Sequence, residues 1–180
     1  CGGAYTICLD VTGTLHSFGC NDCGQLGCTE PKQIKNPQKI LNIPPIRSVS
    51  CGYAHTACID INDELWTFGL NNKGQLGLRN TKNQTQPQKC LSQVIQASCG
   101  KNYTIVVTNN QCITFIGSIK DSDPPNIEIQ DLDGLFSQKV EIDSVSSGYF
   151  HSLIRIATSG DVYIVGSPEM IHLHETSPQV

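Results

Sequence analysis

Residues 51–77 read CGYAHTACIDINDELWTFGLNNKGQLG, and this stretch decides the fold because it is the second copy of a phrase that begins at Cys1. Two more degenerate copies begin at Cys99 and Ser147, so the phrase recurs about every fifty residues. Units of that length stack on one another to bury faces that a single unit cannot bury alone. The sequence therefore predicts a repeat protein.

The register of the copies can be checked at equivalent positions, which we call columns, and one of these columns ends in glycine. Its members are Phe18-Gly19, Phe68-Gly69, Phe115-Ile116-Gly117 and Ile164-Val165-Gly166. An apolar pair that precedes the later copies keeps the same step, as Ile46/Val49, Val94/Ala97 and Ile142/Val145. We expect four repeat units in a single segment, at approximately 1–50, 51–98, 99–146 and 147–180, of which the last is incomplete.

Composition and charge narrow the class of protein. The 180 residues carry 12 Lys and Arg against 16 Asp and Glu, a net charge of −4, and the basic residues are scattered along the chain. Such a surface offers no row of phosphate contacts, so we expect no direct binding of nucleic acid. No apolar run approaches the roughly 18 residues of a membrane span, so no membrane segment is predicted. The first residue is not Met, which suggests a piece of a longer product.

Half of the ten cysteines fall in repeat columns. Cys1, Cys51 and Cys99 share one column with Ser147, and Cys8 and Cys58 share another with Val106 and Ile154. A column that alternates Cys with Ser, Val or Ile requires a small buried side chain, and free Cys behaves as a small hydrophobe. These five cysteines are therefore predicted to lie in the core as reduced thiols, in an intracellular compartment, cytoplasmic or nuclear.

One cysteine cluster has the spacing of a metal site, Cys20-x-x-Cys23-x4-Cys28. A tetrahedral zinc site needs a fourth ligand, and no second CxxC or HxxxH follows. The second unit has Leu70, Lys73 and Leu78 at the same positions. The interpretation is an ordinary turn with no metal, and the sequence predicts no cofactor.

The pattern within each unit is that of short strands. Two β-rich apolar runs are separated by a turn signal, at Thr12-Gly13, Asn62-Asp63, Asn109-Asn110 and Ser159-Gly160. Pro37-Gln38-Lys39-Ile40, with its later copies, and the Ile-x-x-Val-Ser pieces supply two further strands. Four strands per unit, short connections and no helical period predict an all-β chain of propeller blades.

A glycine-rich turn follows the second strand in the first two units. It contains Gly24, Gln25, Leu26 and Gly27 in one unit and Gly74, Gln75, Leu76 and Gly77 in the next. We expect the leucines to be buried anchors and the glutamines to satisfy backbone groups of the turn.

These phrases resemble the repeats of the regulator of chromosome condensation family. Cys-Gly-x-x-His-Thr, Leu-Trp-Thr-Phe-Gly-x-Asn-x-x-Gly-Gln-Leu-Gly and Val-Ser-Cys-Gly carry the resemblance, which is strong in units one and two. Units three and four lack Gly-Gln-Leu-Gly, and 118–141 replaces it with an acidic, proline-containing stretch. The resemblance implies a propeller of about seven blades. The four units would then form an incomplete propeller, with exposed blade faces at its ends and the remaining blades expected from the rest of the chain.

No catalytic constellation is visible in the sequence. His55 and His151 occupy a column that Tyr5 and Tyr103 fill in the other units, so a structural hydrogen bond is the better interpretation. Trp66 is interpreted as packing between blades, with a semi-exposed anchor for a partner as the alternative.

Function in such a fold is expected in the loops that differ between units. The candidate partner-binding residues are Asp22, Asn72, Lys73, Asp121, Asp123 and Phe136. The loop at 118–141 is either a partner-binding element or a solvated connector with a decayed motif.

Three hypotheses of function share this fold. The first is a non-catalytic protein-interaction or scaffold propeller. The second, which the resemblance implies, is guanine-nucleotide exchange on a Ran-like small GTPase by stabilisation of the nucleotide-free state. The third is an inhibitor or receptor that clamps an enzyme or peptide. In each case the partner is another protein.

Overall fold

The structure is a computed structural model that describes residues 1–131, 140–166 and 171–173. In these residues the chain forms four antiparallel sheets, each built from consecutive strands. The innermost strands of neighbouring sheets contact one another, so the sheets stand side by side around a common axis. The predicted all-β architecture of an incomplete propeller is confirmed.

The second sheet is the fullest copy of the repeat. Its strands are β4 (Ile46–Cys51), β5 (His55–Asp60), β6 (Leu65–Gly69) and β7 (Gln84–Leu91), paired in that order. The Asp60 carboxylate closes the hairpin between β5 and β6, since its Oδ1 accepts hydrogen bonds from the Asn62 and Glu64 amides. Its Oδ2 accepts a bond of 2.9 Å from Trp66 Nε1. Trp66 is half-buried against the core between the first two sheets, which agrees with a packing role.

The other three sheets repeat this plan. The first contains β1 (Tyr5–Leu9), β2 (Leu15–Cys20) and β3 (Gln33–Lys39). The third contains β8 (Val94–Cys99), β9 (Tyr103–Thr108), β10 (Ile113–Gly117) and β11 (Ile129–Asp131). The fourth contains β12 (Ile142–Ser147), β13 (His151–Ile156), β14 (Val162–Gly166) and β15 (Ile171–Leu173). Positive φ angles mark the hairpins at Gly13, Asp63 and Gly160, and the third hairpin places its positive φ at Gln111, after the predicted Asn109-Asn110.

The boundaries of the sheets do not coincide with the boundaries of the sequence units. β4 lies at the end of the first unit, yet it pairs with β5 of the second, with Cys51 opposite Thr56. Pro44 and Pro45 lie between β3 and β4, where the chain crosses from the outer strand of the first sheet to the inner strand of the second. Each complete unit therefore gives three strands to one sheet and one strand to the next.

The core lies in the three seams between neighbouring sheets. Alternate residues of β5 point to opposite seams, since Cys58 belongs to the first cluster and Ile59 to the second. In the same way Val106 packs in the second seam and Ile105 in the third. The strands β5 and β9 of the middle sheets are therefore buried on both faces.

The prediction that five cysteines lie in the core is wrong for the two at the first sheet. Cys58 and Cys99 are buried and Cys51 is half-buried, but Cys1 and Cys8 are exposed. Cys8 occupies the column of Cys58, and no sheet formed by the described residues packs against its face of the first sheet. All ten cysteines lie in the described ranges, and each is a free thiol.

Candidate functional site

The turns with the repeated phrases gather at one end of the sheets. His55 at the start of β5 pairs with Gly69 at the end of β6, so the Gly52–Ala54 turn and the turn after β6 lie at the same end. The equivalent pairing in the third sheet joins Tyr103 to Gly117. We call this the motif end of the molecule, and the end with the β5–β6 hairpin the opposite end.

The turn after β6 is held by buried amide side chains. Asn71 is fully buried; its Oδ1 accepts a bond of 2.9 Å from the Leu76 amide, and its Nδ2 donates to the Asn80 carbonyl at 2.8 Å. Gln75 Oε1 accepts from the Lys73 amide at 2.8 Å. Leu76 is fully buried, as the repeat pattern predicts, and the buried amide side chains supply the hydrogen bonds that the backbone of this turn requires.

The first sheet repeats the same construction. Asn21 Oδ1 accepts from the Leu26 amide at 3.1 Å and its Nδ2 donates to the Cys28 carbonyl at 2.9 Å. Gln25 Oε1 accepts from the Cys23 amide at 2.9 Å. The buried asparagine was missed by sequence reasoning, although its recurrence in Gly-x-Asn-x-x-Gly was the signal that could have found it.

Gly74 shows why this turn requires glycine. Its φ is +82°, and a Cβ built there would lie 1.9 Å from the carbonyl oxygen of Asn126. Any side chain would therefore push away the loop after β10, which crosses directly over the turn.

The Tyr and His column links each sheet to the next. The Tyr5 hydroxyl donates to the His55 carbonyl, His55 Nε2 lies 3.0 Å from Thr104 Oγ1, and the Tyr103 hydroxyl donates to the His151 carbonyl at 2.6 Å. Burial lowers the pKa of His55 to about 4, so this histidine is neutral in the folded protein at neutral pH. His151 is exposed at the outer face of the fourth sheet.

An aromatic rim stands on the motif end. Tyr53 and Tyr149 are about half exposed, at 50% and 49%, and their rings meet edge to face at 6.3 Å, while Phe150 packs against Tyr149 at 4.8 Å. Lys101 Nζ lies 4.9 Å and 5.2 Å from the ring centres of Tyr149 and Phe150. The Asp121 carboxylate binds this ammonium and raises the pKa of Lys101.

The rim surrounds a concave mouth of about 310 Å³ at the axis. Its wall is formed by the Cys-Gly-x residues of all four sheets, among them Gly3, Gly52, Gly100 and Gly148. Sequence reasoning missed the aromatic rim because its residues occupy the variable positions of Cys-Gly-x-x. The signal was that two of those four copies carry Tyr at the first variable position.

Three of the predicted partner-binding residues come together beside this rim. Lys73 Nζ donates to the main-chain carbonyls of Asp121, at 2.7 Å, and Asp123. The Asp121 carboxylate also accepts a bond of 2.8 Å from Asn102 Nδ2, and the Asp123 carboxylate lies 3.2 Å from Ser118 Oγ. The loop after β10 is thus pinned to the second and third sheets by Lys73 and Lys101.

The remaining predicted residues lie elsewhere. Asn72 is exposed beside Lys73 and contacts Gln75 Nε2 at 3.3 Å, and Asp22 is exposed in the equivalent turn of the first sheet. Phe136 lies outside the described residues.

The cysteine cluster of the first turn does not converge. Cys20 Sγ lies 3.3 Å from Asp22 Oδ2, whereas Cys28 Sγ contacts Asn21 Nδ2 at 3.5 Å. Burial raises the pKa of both Cys23 and Cys28. Within residues 1–131, 140–166 and 171–173, no group of three His, Cys, Asp or Glu side chains is placed to hold a metal ion.

Four antiparallel sheets around one axis, with their loops gathered at the two ends, define the chain as part of a β-propeller. The chain belongs to the family described by the regulator of chromosome condensation (RCC1) repeat, whose model matches residues 12–59 and 62–107, together more than half of the sequence. A second model with the same description matches residues 46–75. The predicted family is confirmed.

Solved structures show the same fold at low sequence identity. Human WBSCR16 is 17% identical with a TM-score of 0.81, covering 92% of this chain and 46% of its own. Prp20p from Saccharomyces cerevisiae is 20% identical with a TM-score of 0.65, covering 92% of this chain and 56% of its own. A chain in the structure of Kap60 bound to yeast RCC1 (Prp20) is 19% identical with a TM-score of 0.66, covering 92% of this chain and 54% of its own.

The chain therefore spans about half the length of these similar structures. No curated protein sequence matches it. In the part of the chain that the structure describes, no helix has the length and apolar character needed to cross a membrane.

Proposed function

We propose that this chain is a non-catalytic protein-interaction module that binds another protein through the motif end of its sheets. The observation that carries the proposal is the exposed ring cluster of Tyr53, Tyr149 and Phe150, held together by edge-to-face contacts and by Lys101. Aromatic side chains that are rigid and half exposed supply large contact areas at a small entropic cost, and they dominate the binding energy of protein interfaces.

The pinned loop extends the same surface. Asp121 and Asp123 are joined to Lys73, and Asp121 is joined to Lys101 of the rim, so the loop and the rings form one continuous region. Asn72 borders it, and we propose that Asp22 contributes at the neighbouring sheet. Phe136 remains a proposed contact from the sequence.

A capture experiment tests the proposal. The double variant Tyr53→Ser and Tyr149→Ser is compared with the matched double variant Val11→Ser and Ile61→Ser, whose residues are exposed at the opposite end. A photo-crosslinking amino acid at Phe150 identifies proteins in direct contact. Loss of the crosslinked partner in the tyrosine variant alone supports the proposal, and equal loss in both variants or in neither overturns it.

The second candidate function is guanine-nucleotide exchange on a Ran-like small GTPase. Membership of the RCC1-repeat family favours it, and the structurally similar Prp20p has binding properties to Gsp1p and histones. The test is release of a fluorescent guanine nucleotide from a panel of Ran-type GTPases with and without the protein. Acceleration that the Tyr53→Ser and Tyr149→Ser variant abolishes would favour exchange, and no acceleration across the panel leaves the interaction module.

Sheet faces that are not covered by another described sheet favour the presence of further sheets in a longer chain. Leu153 is 39% exposed on the outer face of β13, and the first sheet has no fourth strand among the described residues. We propose that remaining blades from a longer chain cover these faces. The ten free thiols support a reducing compartment, cytoplasmic or nuclear.

A further inference from the structure

The third seam, between the third and fourth sheets, contains a cavity of about 470 Å³ near the motif end. Its walls, among the described residues, combine apolar side chains with polar and charged ones, among them Phe115, Pro124, Pro125, Val165, Asp123 and Gln130. The cavity opens beside the loop that replaces Gly-Gln-Leu-Gly in the third unit.

In the other two seams the same place is filled by the chain itself. The turn of the first sheet lies against the second sheet, since a Cβ at Gly27 would lie 3.3 Å from Phe68. The turn of the second sheet lies against the third, since a Cβ at Gly77 would lie 3.2 Å from Ile116. Leu26 and Leu76, in these two turns, are fully buried.

The repeat register identifies Val165 as the counterpart of Phe68 and Ile116, because each precedes the column glycine. Phe68 and Ile116 are at most 1% exposed, whereas Val165 is only half-buried and lines the cavity. The third unit has no Gly-Gln-Leu-Gly sequence, and its described residues leave the cavity between Phe115 and Val165.

The column glycines show the same difference between the seams. A Cβ at Gly69 would lie 3.2 Å from Gln25 Cα, and one at Gly117 would lie 2.9 Å from Gln75 Cα. At Gly166 the three nearest atoms of the described residues all belong to Phe150 and His151 of its own sheet.

The floor of the third seam is more apolar than its counterparts. Ser17 and Thr67 donate hydroxyl hydrogen bonds to the Leu26 and Leu76 carbonyls, at 2.9 Å and 2.8 Å. Their counterpart in the third sheet is Phe115, which stacks on Tyr103 at 5.1 Å and has no hydroxyl to donate. The part of the site between Phe115 and Val165 is therefore suited to an apolar side chain.

We propose that the cavity between Phe115 and Val165 is a docking site for a leucine-bearing turn of a partner polypeptide. The occupant imitates the Gly-Gln-Leu-Gly turn that fills the two equivalent seams of this molecule. The leucine side chain enters over Phe115 and Val165, and small flanking residues allow its backbone to approach the fourth sheet as closely as Gly27 and Gly77 approach their neighbours. This site rests on the proposed interaction function. Its walls include none of the residues of the aromatic rim, although Asp123 belongs to the loop that borders the rim.

The test uses a fluorescently labelled peptide with the sequence of residues 71–78, NNKGQLGL, titrated with the 180-residue chain by fluorescence anisotropy. The matched control peptide carries Leu76→Asp. We expect the parent peptide to bind and the control peptide to bind at least about ten-fold more weakly, since a carboxylate between Phe115 and Val165 loses hydration and is repelled by the Asp123 carboxylate of the wall.

Two protein variants locate the binding. Pro125→Trp fills the cavity from an exposed wall residue, and Ser122→Trp places the same side chain on the same loop at a residue not found among the cavity walls. Pro125→Trp should weaken peptide binding at least about ten-fold and Ser122→Trp should leave it within about two-fold. Circular dichroism and thermal melting check that both variants fold.

The proposal is overturned if the parent peptide does not bind, if Leu76→Asp does not matter, or if both tryptophan variants behave alike. Because the assay contains only the chain and its peptide, its failure leaves the capture experiment at Tyr53 and Tyr149 to be judged separately. Conversely, a negative capture experiment with a positive peptide titration would reject the rim and retain this site.

Discussion

Three sheets each have a connection at the same place: a turn after β2, a turn after β6 and a loop after β10. The turns and the loop differ in the side chains that hold them in position. The two turns are fixed from inside, by buried Asn, Gln and Leu side chains. The loop at 118–128 is fixed from outside, by Lys73 and Lys101, and leaves a cavity beneath it. The strands therefore keep their arrangement while the connection above them changes from a part of the core to a part of the surface.

Truncation of an apolar side chain should give the largest difference between the second and third seams. Leu76→Ala removes a fully buried side chain and should lower the free energy of unfolding by about 4 kcal/mol. Val165→Ala, beside the cavity of the third seam, should lower it by about 1 kcal/mol. Urea denaturation of the two variants measures both values. Equal losses would mean that the third seam is as well packed as the second.

The next largest effect is a pH dependence carried by the second seam. The pKa of His55 is about 4 in the folded protein against an ordinary 6.5, so between these values the unfolded chain binds the proton more strongly. Stability that is fully present above pH 6.5 should therefore fall by about 3 kcal/mol as the pH drops to 4.

His55→Tyr supplies the matched variant for this measurement, because tyrosine occupies the same column in the first and third sheets. We expect it to remove most of the loss between pH 6.5 and 4. His151→Tyr, at the exposed end of the column, should leave the loss unchanged. Stability curves that are parallel for all three proteins would reject His55 as the cause.

A smaller difference is expected from the two asparagines that cap these connections. Asn71→Ala leaves the Leu76 amide and the Asn80 carbonyl without their buried partner and should cost about 2 kcal/mol. Asn126→Ala removes a bond of 3.1 Å to the exposed Glu128 amide and should cost less than about 0.5 kcal/mol. Thermal denaturation at pH 7 ranks the two, and the reverse ranking would contradict an inside-held turn.

The smallest effect on stability should come from the outer pins. Lys73→Met removes the bonds to the Asp121 and Asp123 carbonyls, which we expect to loosen the loop and to lower Tm by less than about 3 °C. Trypsin cleavage after the exposed Lys120 should become at least about three-fold faster. Lys82→Met, at another exposed lysine, is the control. Unchanged cleavage in Lys73→Met would show that the loop does not depend on this pin.

The recurring columns made much of this predictable, since Leu26 and Leu76, the glutamines beside them and the Tyr and His column follow from repetition alone. The exposure of Cys1 and Cys8 did not follow, because a column is buried only where a neighbouring sheet covers it. The rim of Tyr53 and Tyr149 was missed for the opposite reason, since its side chains occupy positions that vary between the repeats. The cavity arises where the third unit lacks a Gly-Gln-Leu-Gly turn. The sequence shows that this turn is missing, but only the structure shows where the resulting space lies.

The stagger between units and sheets has a consequence for how such a chain can grow. Any window of about fifty residues contains as many strands as one sheet, although these strands are drawn from two neighbouring sheets. A gene duplication that copies one window therefore adds the strands needed for one more sheet. The sheets on both sides of the insertion stay complete, because each unit contributes one strand to the sheet that follows it. The chain can therefore gain or lose entire sheets even when the ends of the duplicated or deleted segment do not coincide with a sheet boundary.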